Sequence, residues 1–387
     1  MVTRAPITTF APIDRTKSVT FVVTEQCNLR CSYCYMVRKN PDHRMPLDVA
    51  RAAIDYLLTH RQLFAESEVV WDFIGGEPLL ELPLIEQILE YVMLRAYKLN
   101  HPWFSRSLFA ISTNGLLYRT PPVQRFIERY RDLLDITISI DGPENVHDRA
   151  RVTASGRGSY QLISDAIPLW LSQFPRASTK VTISRENLDD VTEAVLHLFG
   201  LGIKRVLANV VFENVWHEGD ELKFEQQLDR LGSAMLQTGL WKTHSCTLFQ
   251  REIGTPLDCR REGANWCGSG RMLAVDAHGA FYPCVRFLPF SLTKRAARTI
   301  GNVREGLDLN RTRPFLALTL EAQSPPECLE CSVARGCAWC QALNYDEAAT
   351  DTIYQRATFL CRMHKARVRA NERFWSSVNA LQKDEVG

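Results

Sequence analysis

Twelve cysteines are spread very unevenly over this 387-residue chain, and their distribution limits its fold more than any other feature. Three form Cys27-x3-Cys31-x2-Cys34, and nine fall between Cys246 and Cys361. The opening Met-Val-Thr-Arg-Ala-Pro-Ile-Thr-Thr-Phe has no long apolar core and no cleavage pattern. No stretch elsewhere reaches the roughly 18 apolar residues of a spanning helix. The chain is therefore expected in the cytoplasm, without a membrane partner. In a reducing compartment clustered thiols do not pair as disulfides, which leaves metal binding or catalysis as the reason for gathering them. With 46 basic against 44 acidic residues the net charge is +2. No strong field points to nucleic acid.

From Ser18 to about Val211 short apolar, β-branched runs alternate with longer amphipathic segments, the pattern of βα units around a parallel sheet. Strands are expected near Ser18–Val23, Glu68–Ile74, Leu108–Ser112, Ile136–Ile140, Lys180–Ser184 and Val206–Val211. Helices are expected over Leu47–His60, Leu82–Leu99, Val123–Tyr130, Tyr160–Leu171 and Leu188–Gly200, with a further helical stretch near Lys223–Trp241. Six units are too few for a closed eight-stranded barrel, so the fold class is α/β with a partial (β/α)6 TIM-like barrel. Beyond about residue 240 the sequence is punctuated by Gly, Pro and Cys, and metal is expected to hold that part together. The expected organisation is a barrel over 1–240, a small cysteine-rich domain over 241–365 and a closing helix over 366–387.

The segment Cys27-Asn-Leu-Arg-Cys31-Ser-Tyr-Cys34 follows the first expected strand, at the end of a sheet where barrel enzymes carry their active sites. Three thiolates on a four-iron cubane leave one iron open to a small chelating molecule. A closed zinc site needs a fourth ligand and a more usual spacing. Gly75-Gly76-Glu77-Pro78 ends the second strand, Ser112-Thr113-Asn114-Gly115 the third and Ser139-Ile140-Asp141-Gly142 the fourth. Such glycines let backbone and a carboxylate approach a ligand closely, although an ordinary turn also uses glycine.

The three cysteines, with Tyr33 just before the last, resemble the signature of the radical S-adenosylmethionine (SAM) superfamily. That resemblance implies that Cys27, Cys31 and Cys34 are the catalytic, metal-ligating residues of a SAM-binding [4Fe-4S] cluster. It further implies that SAM chelates the open iron and is cleaved reductively to methionine and a 5′-deoxyadenosyl radical. Gly75, Gly76 and Glu77 then resemble the family's site for the SAM amino group, and Asn114, Ser139 and Ser184 are expected to face SAM. Turn capping is the alternative for those three polar residues. The run His147-Asp148-Arg149-Ala150-Arg151 through Gly156 to Tyr160 resembles peptide-modifying members, with an exposed charge as the alternative for Arg149.

Later in the chain come Cys259, Cys267, Cys284, Cys328, Cys331, Cys337, Cys340 and Cys361, eight thiols that make two sets of four. Two [4Fe-4S] clusters would use them all, and Cys-x2-Cys pairs alone do not separate iron from zinc. The arrangement is similar to the SPASM domain of radical SAM enzymes. By that resemblance Cys259, Cys267, Cys284 and Cys340 hold a first auxiliary cluster, and Cys328, Cys331, Cys337 and Cys361 a second, giving three clusters in all. One departure is visible. Cys337 and Cys340 are separated by two residues, Ala338 and Trp339, where the family commonly has three, and this bears on ligation by Cys340. Cys246 is left over and reads as a small buried apolar residue or as a substrate relay.

Among SPASM-containing enzymes the chain resembles maturases of short peptides bearing repeated Cys-x-x-x units. The resemblance rests on Ala274-Val275-Asp276-Ala277-His278-Gly279, Tyr282-Pro283-Cys284-Val285-Arg286-Phe287, Gly336-Cys337-Ala338-Trp339-Cys340 and the run from Arg356 to Arg367. It implies hydrogen abstraction from a ribosomally made, cysteine-containing precursor peptide and formation of a thioether from a cysteine sulfur to carbon. The implied partners are that peptide, a reductant such as flavodoxin or ferredoxin, and a separate leader-binding protein or the chain's own surface for the leader. Two other enzyme readings stand beside this one, a maturase forming carbon-carbon cyclophane links and an anaerobic sulfatase-maturating enzyme. A metal-binding interaction protein is the non-enzymatic reading.

Overall fold

In Thr16–Thr24 (β1), Val and Phe residues interleaved with Thr are buried along almost the whole length. That is the pattern of a strand covered on both faces, as in parallel sheets sheathed by helices. The computed structural model of the chain describes residues 15–257, 267–337, 339–347 and 355–384. Five further strands follow in the order expected, Glu68–Gly75 (β2), Ser107–Thr113 (β3), Leu134–Ile138 (β4), Ser178–Ile183 (β5) and Arg205–Val210 (β6). The short strands Ser245–Cys246 (β7), Leu273–Val275 (β8), Ala280–Tyr282 (β9), Gly301–Asn302 (β10) and Gly306–Leu307 (β11) come after them. Helices alternate with the first six strands, so the α/β class with a parallel-sheet core holds. Among the described residues no helix is long and apolar enough to cross a membrane.

The described residues divide into two compact units that interleave in sequence. One comprises residues 1–28, 35–136 and 268–317. Its sheet runs in the order β11-β10-β9-β8-β1-β2-β3, with β4 next to β3. β1 pairs in parallel with β2 from Thr16 opposite Glu68 to Val22 opposite Ile74, and on its other edge with β8 through Val19 opposite Leu273. β8 and β9 form an antiparallel pair, as do β9 with β10 and β10 with β11. Part of the cysteine-rich stretch thus extends the main sheet. The Asp276 carboxylate fixes the β8–β9 turn by accepting from the His278 and Ala280 N–H groups, each at 2.9 Å, and from the Tyr282 hydroxyl at 3.0 Å.

The other unit comprises residues 29–34, 137–267 and 318–387. Here β5 and β6 pair in parallel from Ser178 opposite Arg205 to Ile183 opposite Val210, and β6 pairs in parallel with β7. Just past β4, Ser139 bridges Lys180 in parallel, and the Thr179 hydroxyl donates to the Ile138 carbonyl at 2.7 Å. The helix Cys361–Asp384 lies along the helix Asp220–Gln237. Arg373 binds Asp229 through two nitrogens at 3.0 and 2.8 Å, Arg369 pairs with Glu225, and Phe374 stacks on Phe249 at 4.3 Å. That last helix starts at Cys361, several residues before the expected boundary.

Elsewhere the expected element boundaries move by a few residues for local reasons. The helix expected over Tyr160–Leu171 is split into Tyr160–Ser164 and Ala166–Gln173. Pro168 lacks an N–H and its ring clashes with the carbonyl four residues back, at Ser164, so a continuous helix cannot pass that point. The stretch expected as Leu188–Gly200 begins with a tight 3-10 turn over Arg185–Asp190 and becomes α-helical at Val191.

Phe21 in β1 is fully buried and stacks on Trp71 and Phe73 of β2, each at 6.1 Å. Truncation there opens a cavity in the most crowded part of the sheet. Phe21→Ala is expected to cost about 3–5 kcal/mol, read as a lower midpoint in denaturant with an unchanged slope.

Candidate functional site

The C-terminal ends of β1, β2 and β3 carry the first group of expected site residues. Out of β2 the chain runs hard against the loop leaving β1. The Gly76 N–H donates to the Thr24 carbonyl at 3.0 Å, and the Glu77 N–H to the Gln26 carbonyl at 2.9 Å. A Cβ on Gly75 would sit 2.1 Å from the Thr24 oxygen. One on Gly76 would sit 2.2 Å from the Gln26 oxygen and 2.7 Å from the Cys27 Cβ. These glycines are required by a close approach of backbone to backbone, and Gly76 presses directly on the residue bearing the first thiol.

Glu77 is almost wholly buried, and its carboxylate serves the scaffold. It accepts from the Leu79 N–H at 3.0 Å, the Thr113 hydroxyl at 2.7 Å and the Asn114 N–H at 2.8 Å. Charge-assisted bonds of this kind are strong, and these fasten the end of β3 to the end of β2. Asn114 in turn donates from Nδ2 to Asn28 Oδ1 at 2.6 Å and accepts the Leu116 N–H on Oδ1 at 3.1 Å. Its side chain therefore caps a turn and also steadies the residue next to Cys27.

Cys31 and Cys34 belong to the other unit, on a segment held by backbone bonds to the chain after the helix Glu144–Ala150. The Arg30 N–H donates to the Val152 carbonyl at 2.7 Å, and the Ser32 N–H to the Ala150 carbonyl at 3.0 Å. Between the two thiols Tyr33 donates its hydroxyl to Asp141, which also accepts from Arg151 Nε at 2.8 Å. The Arg151 guanidinium lies 5.5 Å from the Tyr33 ring centre. Asp141 is fully buried and Arg151 nearly so. Burial, reinforced by the Asp141 carboxylate, pushes the Tyr33 phenol well above its ordinary range, while Arg151 opposes the shift. For Arg151 burial works against the charge, and the Asp141 carboxylate together with the other neighbouring groups outweighs it, so the guanidinium stays protonated. His147 holds the Asp141 backbone, its Nδ1 accepting the Asp141 N–H at 3.3 Å while Nε2 meets the Ser159 hydroxyl at 3.0 Å. Sequence reasoning missed this network and singled out Arg149, which is exposed and paired with Asp190. The signals available were the aromatic residue before the third cysteine and a second arginine two positions past Arg149.

Ser139 and Ser184 stand at the ends of β4 and β5 in this unit. Ser184 starts the 3-10 turn, its N–H donating to Asn187 Oδ1 at 2.8 Å. Ser184 and Asn187 form a capping box at the start of that turn, and the buried Ser184 hydroxyl has no further hydrogen-bond partner among the described residues. A buried hydroxyl with its donor to spare at a strand end fits a polar ligand there.

Four of the later thiols are brought together. Cys328, Cys331, Cys337 and Cys361 line one cavity of about 230 Å³, along with Glu327, Arg356, His364 and Lys365. Burial raises the Cys328 thiol and pushes Cys337 up to about 11, Arg356 draws both down, and neighbouring thiols of the set raise them again. Four half-buried sulfurs around one space, with a buried cation beside them, match the donor set of a cubane cluster. Of the other expected set, Cys267 and Cys340 lie in this unit and Cys284 in the other, where the Cys284 carbonyl accepts the Phe287 N–H at 3.1 Å. Cys259 lies outside the described residues. Cys246 is buried in β7 and pushed up to about 11 by burial, as a packed apolar thiol would be.

The model of the Radical SAM superfamily matches residues 21–212. Those residues are a radical SAM domain, and the chain is a radical SAM enzyme. It is 26% identical over 282 residues to the uncharacterized protein MJ0907 of Methanocaldococcus jannaschii, covering 70% of this chain and 86% of that one. To the antilisterial bacteriocin subtilosin biosynthesis protein AlbA of Bacillus subtilis it is 22% identical over 270 residues, 69% of this chain and 54% of that one. In fold it is similar to native anSMEcpe, an anaerobic sulfatase maturase, solved with bound AdoMet and Cp18Cys peptide. That similarity has a TM-score of 0.70 at 18% identity and covers 95% of this chain and 99% of that one.

Two substitutions probe the radical SAM domain. Gly76→Ala is expected to displace the loop carrying Cys27 and to lower the iron retained after anaerobic reconstitution, with secondary structure by circular dichroism little changed. Asp141→Ala leaves Arg151 charged and unpaired in the interior, and is expected to cost about 3–5 kcal/mol in denaturant unfolding.

Proposed function

We propose that the enzyme matures a ribosomally made peptide, joining a cysteine sulfur of the precursor to a carbon of the same peptide as a thioether. The observation that carries the reading is the four-thiol cavity of Cys328, Cys331, Cys337 and Cys361, since it supports a redox group beyond the one a SAM-cleaving enzyme needs. A peptide substrate is supported by the AlbA relative, named for bacteriocin biosynthesis, and by the peptide bound in the anSMEcpe structure.

In this reading Cys27, Cys31 and Cys34 hold the SAM-binding [4Fe-4S] cluster. Cys259, Cys267, Cys284 and Cys340 hold one auxiliary cluster, and Cys328, Cys331, Cys337 and Cys361 the other. When bound, SAM with the first cluster would supply the 5′-deoxyadenosyl radical that takes a hydrogen atom, and the auxiliary clusters an acceptor for the remaining electron. The chain's own residues hold and orient. Gly75 and Gly76 let the loop after β2 press against the loop of Cys27, Glu77 and Asn114 stiffen that wall, and the Ser184 hydroxyl offers a polar contact, with Ser139 at the neighbouring strand end. Asp141 and Arg151 keep the Cys31–Cys34 segment in one conformation through Tyr33. Across the reaction the peptide exchanges one C–H and one S–H for a C–S bond. A hydrogen atom goes to the deoxyadenosyl group, a proton to solvent and an electron to the acceptor. A flavodoxin or ferredoxin in the cytoplasm is the proposed reductant. The proposed domain limits are 1–240, 241–365 and 366–387.

Sulfatase maturation is the second reading, favoured by the likeness to anSMEcpe across nearly the whole chain. Intact mass separates the two. Coexpressed anaerobically with a short cysteine-containing precursor peptide, the enzyme is expected to remove two hydrogens per crosslink, with a matching loss of alkylatable thiols. The same mass loss with every thiol still free would mean carbon-carbon linkage, and an untouched peptide together with formylglycine on a sulfatase peptide would mean sulfatase maturation. The reconstituted enzyme is expected to bind about twelve irons, and a variant with Cys328→Ala and Cys361→Ala about eight.

A further inference from the structure

Arg356, a cation, lines the four-thiol cavity. Arg356 is almost fully buried. Its guanidinium lies 4.7 Å from the Trp339 ring centre, and its Nη2 makes one long bond, 3.4 Å, to the Cys337 carbonyl. Among the described residues no carboxylate pairs with it. A buried guanidinium is costly unless an anion answers it, and the groups that share its cavity are the thiols of Cys328, Cys331, Cys337 and Cys361.

The other ionisable groups around the cavity do not supply this charge. His364 is held neutral, lowered to about 4 by burial, and its Nε2 donates to the Val333 carbonyl at 2.6 Å. Lys365 and Glu327 are exposed and of opposite sign, so solvent screens both. Arg367, on the same helix, is engaged by the Leu248 and Thr247 carbonyls at 3.0 and 2.6 Å and by Gln250 Oε1 at 2.7 Å.

We infer that Arg356 is the counter-charge that sets the reduction potential of the cluster held by Cys328, Cys331, Cys337 and Cys361. This rests on the reading of those thiols as cluster ligands. One-electron reduction of a thiolate-bound cluster by a low-potential donor adds a negative charge, and a desolvated cation close by favours the reduced form, which raises the potential. Arg356 is thus a tuning residue that acts through the cluster and has no need to touch the substrate.

The test is an anaerobic redox titration with dithionite of the fully reconstituted enzyme, followed by electron paramagnetic resonance, for the parent, Arg356→Gln, Arg356→Lys and the surface control Lys365→Gln. Arg356→Gln is expected to keep its iron and to move one centre to a more negative potential. At a fixed poise its reduced-to-oxidised ratio should fall at least tenfold, about 59 mV for one electron. Arg356→Lys and Lys365→Gln should stay near the parent. An Arg356→Gln enzyme with full iron and the parent's potentials overturns the inference. If Arg356→Gln sheds iron while Arg356→Lys holds iron at the parent potential, charge is still the requirement. Loss of iron from both assigns Arg356 to the fold and overturns it. A parent enzyme with only about four irons would instead sink the auxiliary-cluster reading itself.

Discussion

Backbone crowding at the ends of β1 and β2 is the constraint from which the radical SAM domain is organised. Gly76 has no space for even a methyl group, because the Gln26 carbonyl and Cys27 Cβ already occupy it. The two loops are therefore fixed by contact between main chains, which have far fewer conformations than side chains. Glu77 then carries the constraint across to β3 through Thr113 and Asn114, and Asn114 returns it to Asn28. Bonds at Gln26 and Asn28 thus hold the backbone on either side of Cys27.

A different device serves Cys31 and Cys34. Their segment has no strand of its own and gains rigidity from Tyr33, whose hydroxyl reaches a carboxylate already committed to Arg151. Burying that ion pair is expensive, and the extra donor from the Thr182 N–H to Asp141 at 3.3 Å helps to make it tolerable. Buried polar networks of this sort are high-stakes, since a partly satisfied one is worse than an apolar core. Placed between two thiols, it gives the segment one conformation.

Much of the fold was legible because β-branched runs such as Val19 to Val23 and amphipathic runs such as Leu82–Lys98 obey distinct periods. The strands β8 to β11 were not, being two or three residues long and too short to show any period, and this hid the contribution of the cysteine-rich stretch to the main sheet. The cysteine spacing pointed at the site, and the cavity shared by Cys328, Cys331, Cys337 and Cys361 joins residues up to 33 positions apart that only the resemblance had grouped. Burial of charge was the least readable property. Arg149 and Arg151 look alike in the sequence, yet one faces solvent and the other is enclosed. Glu77 has the composition of a ligand-facing carboxylate, and tertiary donors draw it into the scaffold.

The register of β1 bears on how the chain reaches this state. Val19 is flanked by Trp71 on one side and by Leu273 on the other, partners roughly 50 and 250 residues away. While the chain is being made, β1 can acquire the first neighbour early and must then wait for most of the sequence before the second arrives. Throughout that interval a largely apolar strand presents an unpaired edge, the feature most prone to pair with another copy of itself. Long-range parallel pairing is also slow to form even once both partners exist. Such a chain is most vulnerable to misassembly during synthesis, when a strand destined for the middle of its sheet is still at the edge.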